Sequence, residues 1–222
     1  MPSLWKKWLS HLFEFHVESA PSEHNPHLYV SLNRGRYQLS TANAIYSHED
    51  LYTNYLQAFQ RLPLDELPIE EVLVLGLGLG SVPFMLERHF GKRYYYTAVE
   101  IDENVIDLAH RYCLNQLDSP ITAICADAYA YMLQNEQTYD LICMDIFLDD
   151  VVPPLFESLE FLEALRDSLS PQGLLLYNRL ARTPEDREQS RVFFEGPFRE
   201  IFPEAACLDV SYNWMLLNRG AG

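Results

Sequence analysis

The rhythm of apolar positions along this chain changes once, near Pro68. Before that point the segments are short and alternating. "HLYVSLN", then Arg34-Gly35, then "RYQLS" predict two strands joined by a tight hairpin turn. In "SHEDLYTNYLQAFQRL" the apolar residues Leu51, Tyr55, Ala58, Phe59 and Leu62 recur at three- and four-residue steps. That spacing predicts one helix face, with the helix starting near Ser47. The first twenty residues interrupt their aromatics with Lys6, Lys7, His11 and Glu14, so they predict a short amphipathic helix or a first strand rather than an apolar leader.

After Pro68 the pattern becomes strand, loop, helix, repeated. "EVLVLGL", "YYYTAVE", "ITAIC", "YDLICMD" and "GLLLYN" are apolar runs of strand length, as strands buried on both faces require. "VPFMLERHF", "ENVIDLAHRY", "AYAYMLQN" and "LFESLEFLEALRDSLS" separate them as helices, the last ended by "SPQG". A charged helix from about Glu185 to Glu200 should break at Gly196-Pro197. "AACLDV" and "NWMLLN", divided only by Ser211 and Tyr212, predict an antiparallel closing pair. The expectation is an α/β protein with a doubly wound sheet: a strand, hairpin and helix extension over residues 1–67, and the main domain over 68–222. Ligands on such sheets bind beyond the carboxyl ends of the strands.

Composition narrows the function classes. The chain has 222 residues, 48% of them hydrophobic, and a net charge of −16. That acidity repels phosphate backbones, so no nucleic-acid role is expected. No apolar run reaches membrane-spanning length, so no membrane role is expected either. Cys113, Cys125, Cys143 and Cys207 are far apart and read as buried free thiols of a cytoplasmic protein. The seven histidines show no ligand pairing, so no metal is expected.

The candidate chemistry lies at successive strand ends. Gly76, Gly78 and Gly80 follow the first strand of the main domain and precede a helix starting near Ser81, an arrangement that brings backbone N–H groups to a ligand. Alone, such a loop is equally a tight turn. Glu100 ends the second strand twenty residues after Gly80, where a carboxylate accepts both ribose hydroxyls in NAD and S-adenosylmethionine (AdoMet) enzymes. Asp127 follows the third strand; it suits an adenine amino group with Ala128 leaving room for the ring, and it equally suits a helix N-cap. Asp145 ends the fourth strand.

On these segments the chain resembles the spermidine-synthase-like branch of the class I AdoMet-dependent transferases. "RGRYQLS", "EDLYTNYLQAFQRLPL" and "EEVLVLGLGLGS" are similar in order and spacing to that group's N-terminal strands, helix and glycine loop. "VEIDENVIDLAHRY", "ADAYAYM" and "YDLICMDIF" are similar to its ribose, adenine and catalytic segments. The resemblance implies a methyltransferase-like sheet of about seven strands with its last pair antiparallel, a small β-rich N-terminal extension, and a possible homodimer. It also implies AdoMet or decarboxylated AdoMet as cofactor, held by Gln38, Gly76, Leu77, Gly78, Gly80, Glu100, Ile101, Asp127 and Ala128, with Asp145 catalytic.

The departures fall on the polyamine half of the pattern. Leu79 stands where the group carries a loop aspartate, and Leu148 where it carries a second acid after the catalytic one; Asp149 and Asp150 are offset and read as a solvated loop. An ammonium buried beside leucines costs several kcal/mol, on the order given for desolvated ions. Tyr46, Leu79, Phe147, Leu148 and Tyr212 therefore suit an uncharged or aromatic small-molecule acceptor. The expectation is methyl transfer to such an acceptor. The alternatives are aminopropyl transfer to a polyamine and a non-catalytic nucleoside-binding module.

Overall fold

The computed structural model describes residues 4–24, 27–41, 45–148 and 151–220. A four-stranded antiparallel sheet comes first, its strands adjacent in chain order: β1 (Phe15–Ala20), β2 (Leu28–Asn33), β3 (Arg36–Ser40) and β4 (Ile45–Ser47). Arg34 and Gly35 both have left-handed φ, +51° and +77°. That is the turn whose twist matches two right-twisted strands, as the hairpin reading requires. A short helix, α1 (Leu4–Leu9), precedes the sheet and buries none of its residues.

The main sheet has seven strands in the order β10-β11-β9-β8-β5-β6-β7. These are β5 (Glu71–Leu75), β6 (Tyr95–Glu100), β7 (Ile121–Cys125), β8 (Tyr139–Met144), β9 (Leu169–Leu180), β10 (Ala206–Val210) and β11 (Asn213–Leu217). β5 through β9 run parallel, and β11 lies antiparallel between β9 and β10. The continuous apolar run of β5 is explained by its two faces. Val72 and Val74 enter a core with Phe59, Met85 and Leu176, whereas Leu73 and Leu75 enter another with Met132, Phe161 and Tyr177. The chain leaves β5 for β6 and β7 on one side, then crosses to β8 on the other. The crevice beyond the ends of β5 and β8 is therefore the switch point where ligands bind.

The connecting helices are α2 (Thr53–Phe59), α3 (Ser81–Arg88), α4 (Glu103–Tyr112), α5 (Ala128–Gln134), α6 (Leu159–Asp167), α7 (Pro184–Phe193) and α8 (Arg199–Ile201). Three expectations need correction. The helix expected from Ser47 is divided into a 3₁₀ turn, Glu49–Leu51, and α2. Tertiary bonds override its periodicity: the His48 N–H donates to Ser81 Oγ at 3.0 Å, and Glu49, at φ +41°, accepts from the Tyr37 N–H at 3.0 Å. "SPQG" does not end α6, which stops at Asp167; it forms the irregular start of β9, where pairing with β8 shifts register. Cys113 and Cys143 are buried as expected, but Cys125 is exposed at the end of edge strand β7. The break at Gly196 falls where the sequence puts it, between α7 and α8. Among the described residues no helix is long and apolar enough to cross a membrane.

Candidate active site

One cavity of about 740 Å³ opens beyond the carboxyl ends of the central strands. Its wall takes Gly76 and Gly78 after β5, Glu100 and Ile101 at β6, Asp127 and Ala128 after β7, and Asp145, Phe147 and Leu148 after β8. Tyr46, His48 and Tyr52 close one side from the N-terminal segment. Arg182 after β9, with Tyr212 and Asn213 at the β10–β11 turn, closes the other.

The glycine loop is backbone-crowded. Gly76 has φ +87°, and a Cβ there would stand 2.5 Å from the Asp145 carbonyl oxygen; only glycine lets the ends of β5 and β8 approach so closely. Gly78, at φ +52°, faces Ser47 and the Tyr46 carbonyl, so the N-terminal segment lies directly over the loop. Ser47 Oγ and Ser81 Oγ, 2.7 Å apart, pin it there.

Glu100 bridges the loops. Its Oε2 accepts from the N–H groups of Leu77 and Gly78, each at 3.2 Å, and its Oε1 from those of Ile101 at 3.0 Å and Asp102 at 3.3 Å. Burial raises its pKa, and these amides act against that. Asp127 caps α5, accepting the Ala130 N–H on Oδ1 at 2.8 Å. The capping reading is thus realised on one oxygen, and no described residue donates to the other.

Asp145 sits between two side chains that the sequence reading missed. Asn178 Nδ2, from fully buried Asn178 on β9, donates to Asp145 Oδ1 at 2.7 Å, and the Tyr52 hydroxyl approaches the same oxygen at 3.4 Å. Asn213 Nδ2 in turn donates to Asn178 Oδ1 at 3.0 Å. Burial pushes the Asp145 carboxyl up to about 7, against these two donors. The available signal for Asn178 was a polar residue closing the apolar run "GLLLYN". Tyr52 gave none, because it lay within the expected helix.

Four expected residues are not on the cavity wall. Gln38 is buried in the N-terminal sheet, donating to Ser40 Oγ and accepting from Asn33. The Leu77 side chain is in the main core, although its N–H meets Glu100. Gly80, at φ +91°, starts α3 against Leu114. Leu79 is fully buried among Leu28, Val30 and Leu39, because the loop turns it away from the mouth, so it does not face an acceptor. Asp149 and Asp150 lie outside the described residues.

The sheet order, the antiparallel penultimate strand and the crevice above β5 and β8 define the class: an α/β protein of the architecture shared by solved methyltransferases and spermidine synthases. Within it, the chain belongs to the spermine/spermidine synthase domain family, whose model matches residues 50–209. A probable polyamine aminopropyl transferase of Bifidobacterium longum is 33% identical over 106 residues, covering 48% of this chain and 23% of the relative. A human eEF1A lysine and N-terminal methyltransferase is 29% identical over 129 residues, covering 53% of this chain and 18% of the relative. The crystal structure of a probable spermidine synthase from Corynebacterium glutamicum superposes with TM-score 0.70 at 18% identity, covering 90% of this chain and 79% of that one. The chain spans less than half the length of the first curated relatives it matches.

Proposed function

We propose that the protein binds AdoMet in this cavity and transfers its methyl group to a small acceptor carrying an N–H or O–H on an uncharged or aromatic body. The observation that carries this reading is the distribution of charge on the wall. Of the described carboxylates that line it, Glu100 and Asp127 stand at the strand ends suited to the nucleoside, and only Asp145 is left for an acceptor. The same cavity is lined by Phe147, Leu148, Leu155 and Tyr212, with Arg182 also on its wall. A polyamine would bring several ammonium groups to a wall on which, among the described residues, a single carboxylate is left for them, at a desolvation cost of several kcal/mol, the order given for buried ions.

The residues present fit the donor. Gly76 and Gly78 put backbone without side chains on the cavity wall, Ala128 leaves room beside a ring, and the second oxygen of Asp127 is available to an amino group. Ribose hydroxyls would displace the longer amide contacts on Glu100, those at 3.2 and 3.3 Å. When bound, AdoMet supplies an electrophilic methyl on its sulfonium. The protein then has to orient the acceptor and receive its proton. Asp145 is suited to both, since a carboxyl near 7 is part ionised at neutral pH, where a general base is most effective.

A second reading, aminopropyl transfer from decarboxylated AdoMet to a polyamine, is favoured by the family match itself. Calorimetric titration of AdoMet, decarboxylated AdoMet and methylthioadenosine, with Glu100→Ala as control, separates the two. AdoMet should bind most tightly, and Glu100→Ala should weaken it at least tenfold. A preference for the decarboxylated donor would overturn methyl transfer, and no binding of any of the three would overturn the nucleoside site.

A further inference from the structure

The cavity wall carries a side-chain relay whose direction is fixed by chemistry. An ionised carboxylate only accepts, so Asn178 must turn its NH₂ toward Asp145 and its carbonyl oxygen toward Asn213. Asn213 must therefore present its own NH₂. The orientation of both amides is thereby set. Asn178 is fully buried, and Asn213 is the first residue of β11, paired with Val210 across the β10–β11 turn and adjacent to Tyr212 on the wall. Ser211 holds that turn with φ +72° and bonds to Gln57 on α2. We propose that Asn178 and Asn213 are positioning residues: they hold Asp145 Oδ1 so that Oδ2 alone meets the acceptor, and they couple the β10–β11 turn to the catalytic carboxyl.

The inference rests on the reading of Asp145 as the acceptor's base, but its geometry does not depend on which donor binds. Both donors that Asp145 receives, Asn178 and Tyr52, approach Oδ1, and no described residue donates to Oδ2. One oxygen is thus anchored, and the residue itself lies on the cavity wall. An acceptor pressing on Tyr212 would move Asn213 and loosen the amide that stabilises the ionised carboxylate, so acceptor fit at the turn would set the basicity of Asp145. The other titratable groups facing Asp145 are Tyr52 and Tyr55 from the α2 side and Cys143 on its own strand, each driven further toward its neutral form by burial. His48 and Arg182 line the same cavity.

The test is carbon-detected NMR titration of the Asp145 carboxyl in the full chain labelled at aspartate, with Asp145→Asn assigning the resonance. The wild-type midpoint should lie near 7. Asn178→Leu should raise it by about one unit, an about tenfold loss of ionised base at any pH well below the wild-type midpoint, and Asn213→Ala should raise it by a smaller amount. Asn178→Ser, which keeps a short polar group, serves if the leucine variant does not fold. A merely structural role would lower Tm and leave the midpoint in place, and that result would overturn the proposal. A shift with Asn178 but none with Asn213 would overturn the coupling to the turn. Calorimetry of AdoMet on the same variants keeps the two readings apart: lost binding in the wild type sinks the donor assignment and leaves the relay's titration to be judged by itself.

Discussion

Asp145→Asn should make the protein more stable, and the gain should depend on pH. In the fold, burial moves this carboxyl from its ordinary value of 3.8 to about 7. At about 1.36 kcal/mol per unit, that displacement corresponds to ~4 kcal/mol of penalty on the ionised form. The carboxyl opens on a cavity wide enough for water, so about half of that, ~2 kcal/mol, is the magnitude expected. The sign follows from proton linkage. Between 3.8 and about 7 the folded protein holds a proton that the unfolded chain has lost, so stability falls as pH rises through that window and the penalty is complete above it. Asparagine keeps the acceptor for Asn178 and Tyr52 without the charge. Denaturant melts of wild type and variant at pH 4 and pH 8 isolate the effect: near equality at pH 4, and a variant gain of ~2 kcal/mol, or about 4–8 °C in Tm, at pH 8. Glu49, also raised to about 7 by burial, titrates in both proteins and cancels in the difference. An equal gain at both pH values would refute the claim that the fold strains against an ionised Asp145.

Gly76→Ala places a Cβ 2.5 Å from the Asp145 carbonyl oxygen at φ +87°, whereas Gly91→Ala, at φ +68°, meets nothing within 4 Å. The first should cost about 2–3 kcal/mol and the second about 1 kcal/mol, the strain of a left-handed non-glycine residue alone. Thermal melts that gave equal losses would show that the β5–β8 approach is not the constraint. Brief alkylation at pH 8 followed by peptide mass mapping should label exposed Cys125 first. Cys113 and Cys143, buried and with thiols pushed up by burial, should react only after unfolding. Labelling of Cys113 in step with Cys125 would contradict its burial in the cluster with Leu79, Val105 and Leu108.

What could be read from the sequence follows from how each feature is encoded. β5 was legible because residues on both its faces are apolar, and a run such as "EVLVLGL" has no other economical use. The Arg34-Gly35 turn and the Gly196 break were legible because their chemistry is local. The division of the helix at Tyr52 was not, since its causes, the Ser81 hydroxyl and the Tyr37 amide, lie 33 and 12 residues from the groups they hold. The same applies to Asn178: its identity is written in the sequence, but its partnership with Asp145 is created by the parallel pairing of β8 and β9.

Leu79 shows how a correct observation about a sequence can carry the wrong structural meaning. An apolar residue in a loop that otherwise contacts a ligand reads as part of the ligand's wall. In the fold it is fully buried with Leu28, Val30 and Leu39 of the N-terminal sheet and with Val105 and Leu108 of α4. There it joins the four-stranded sheet to α4, and burying a leucine at such a joint contributes roughly 1.5–3 kcal/mol. A charge at position 79 with this side-chain direction would be buried among those residues, so the apolar residue is what this packing demands. The case for an uncharged acceptor therefore does not rest on the glycine loop. It rests on the described residues after β8 and at the β10–β11 turn, where Phe147, Leu148, Leu155 and Tyr212 line the same cavity as Asp145. If acceptor selectivity is to be redirected toward a cationic amine, Leu148 and Leu155 are the positions at which a new carboxylate would reach the cavity; a carboxylate introduced at Leu79 would unseat the joint instead.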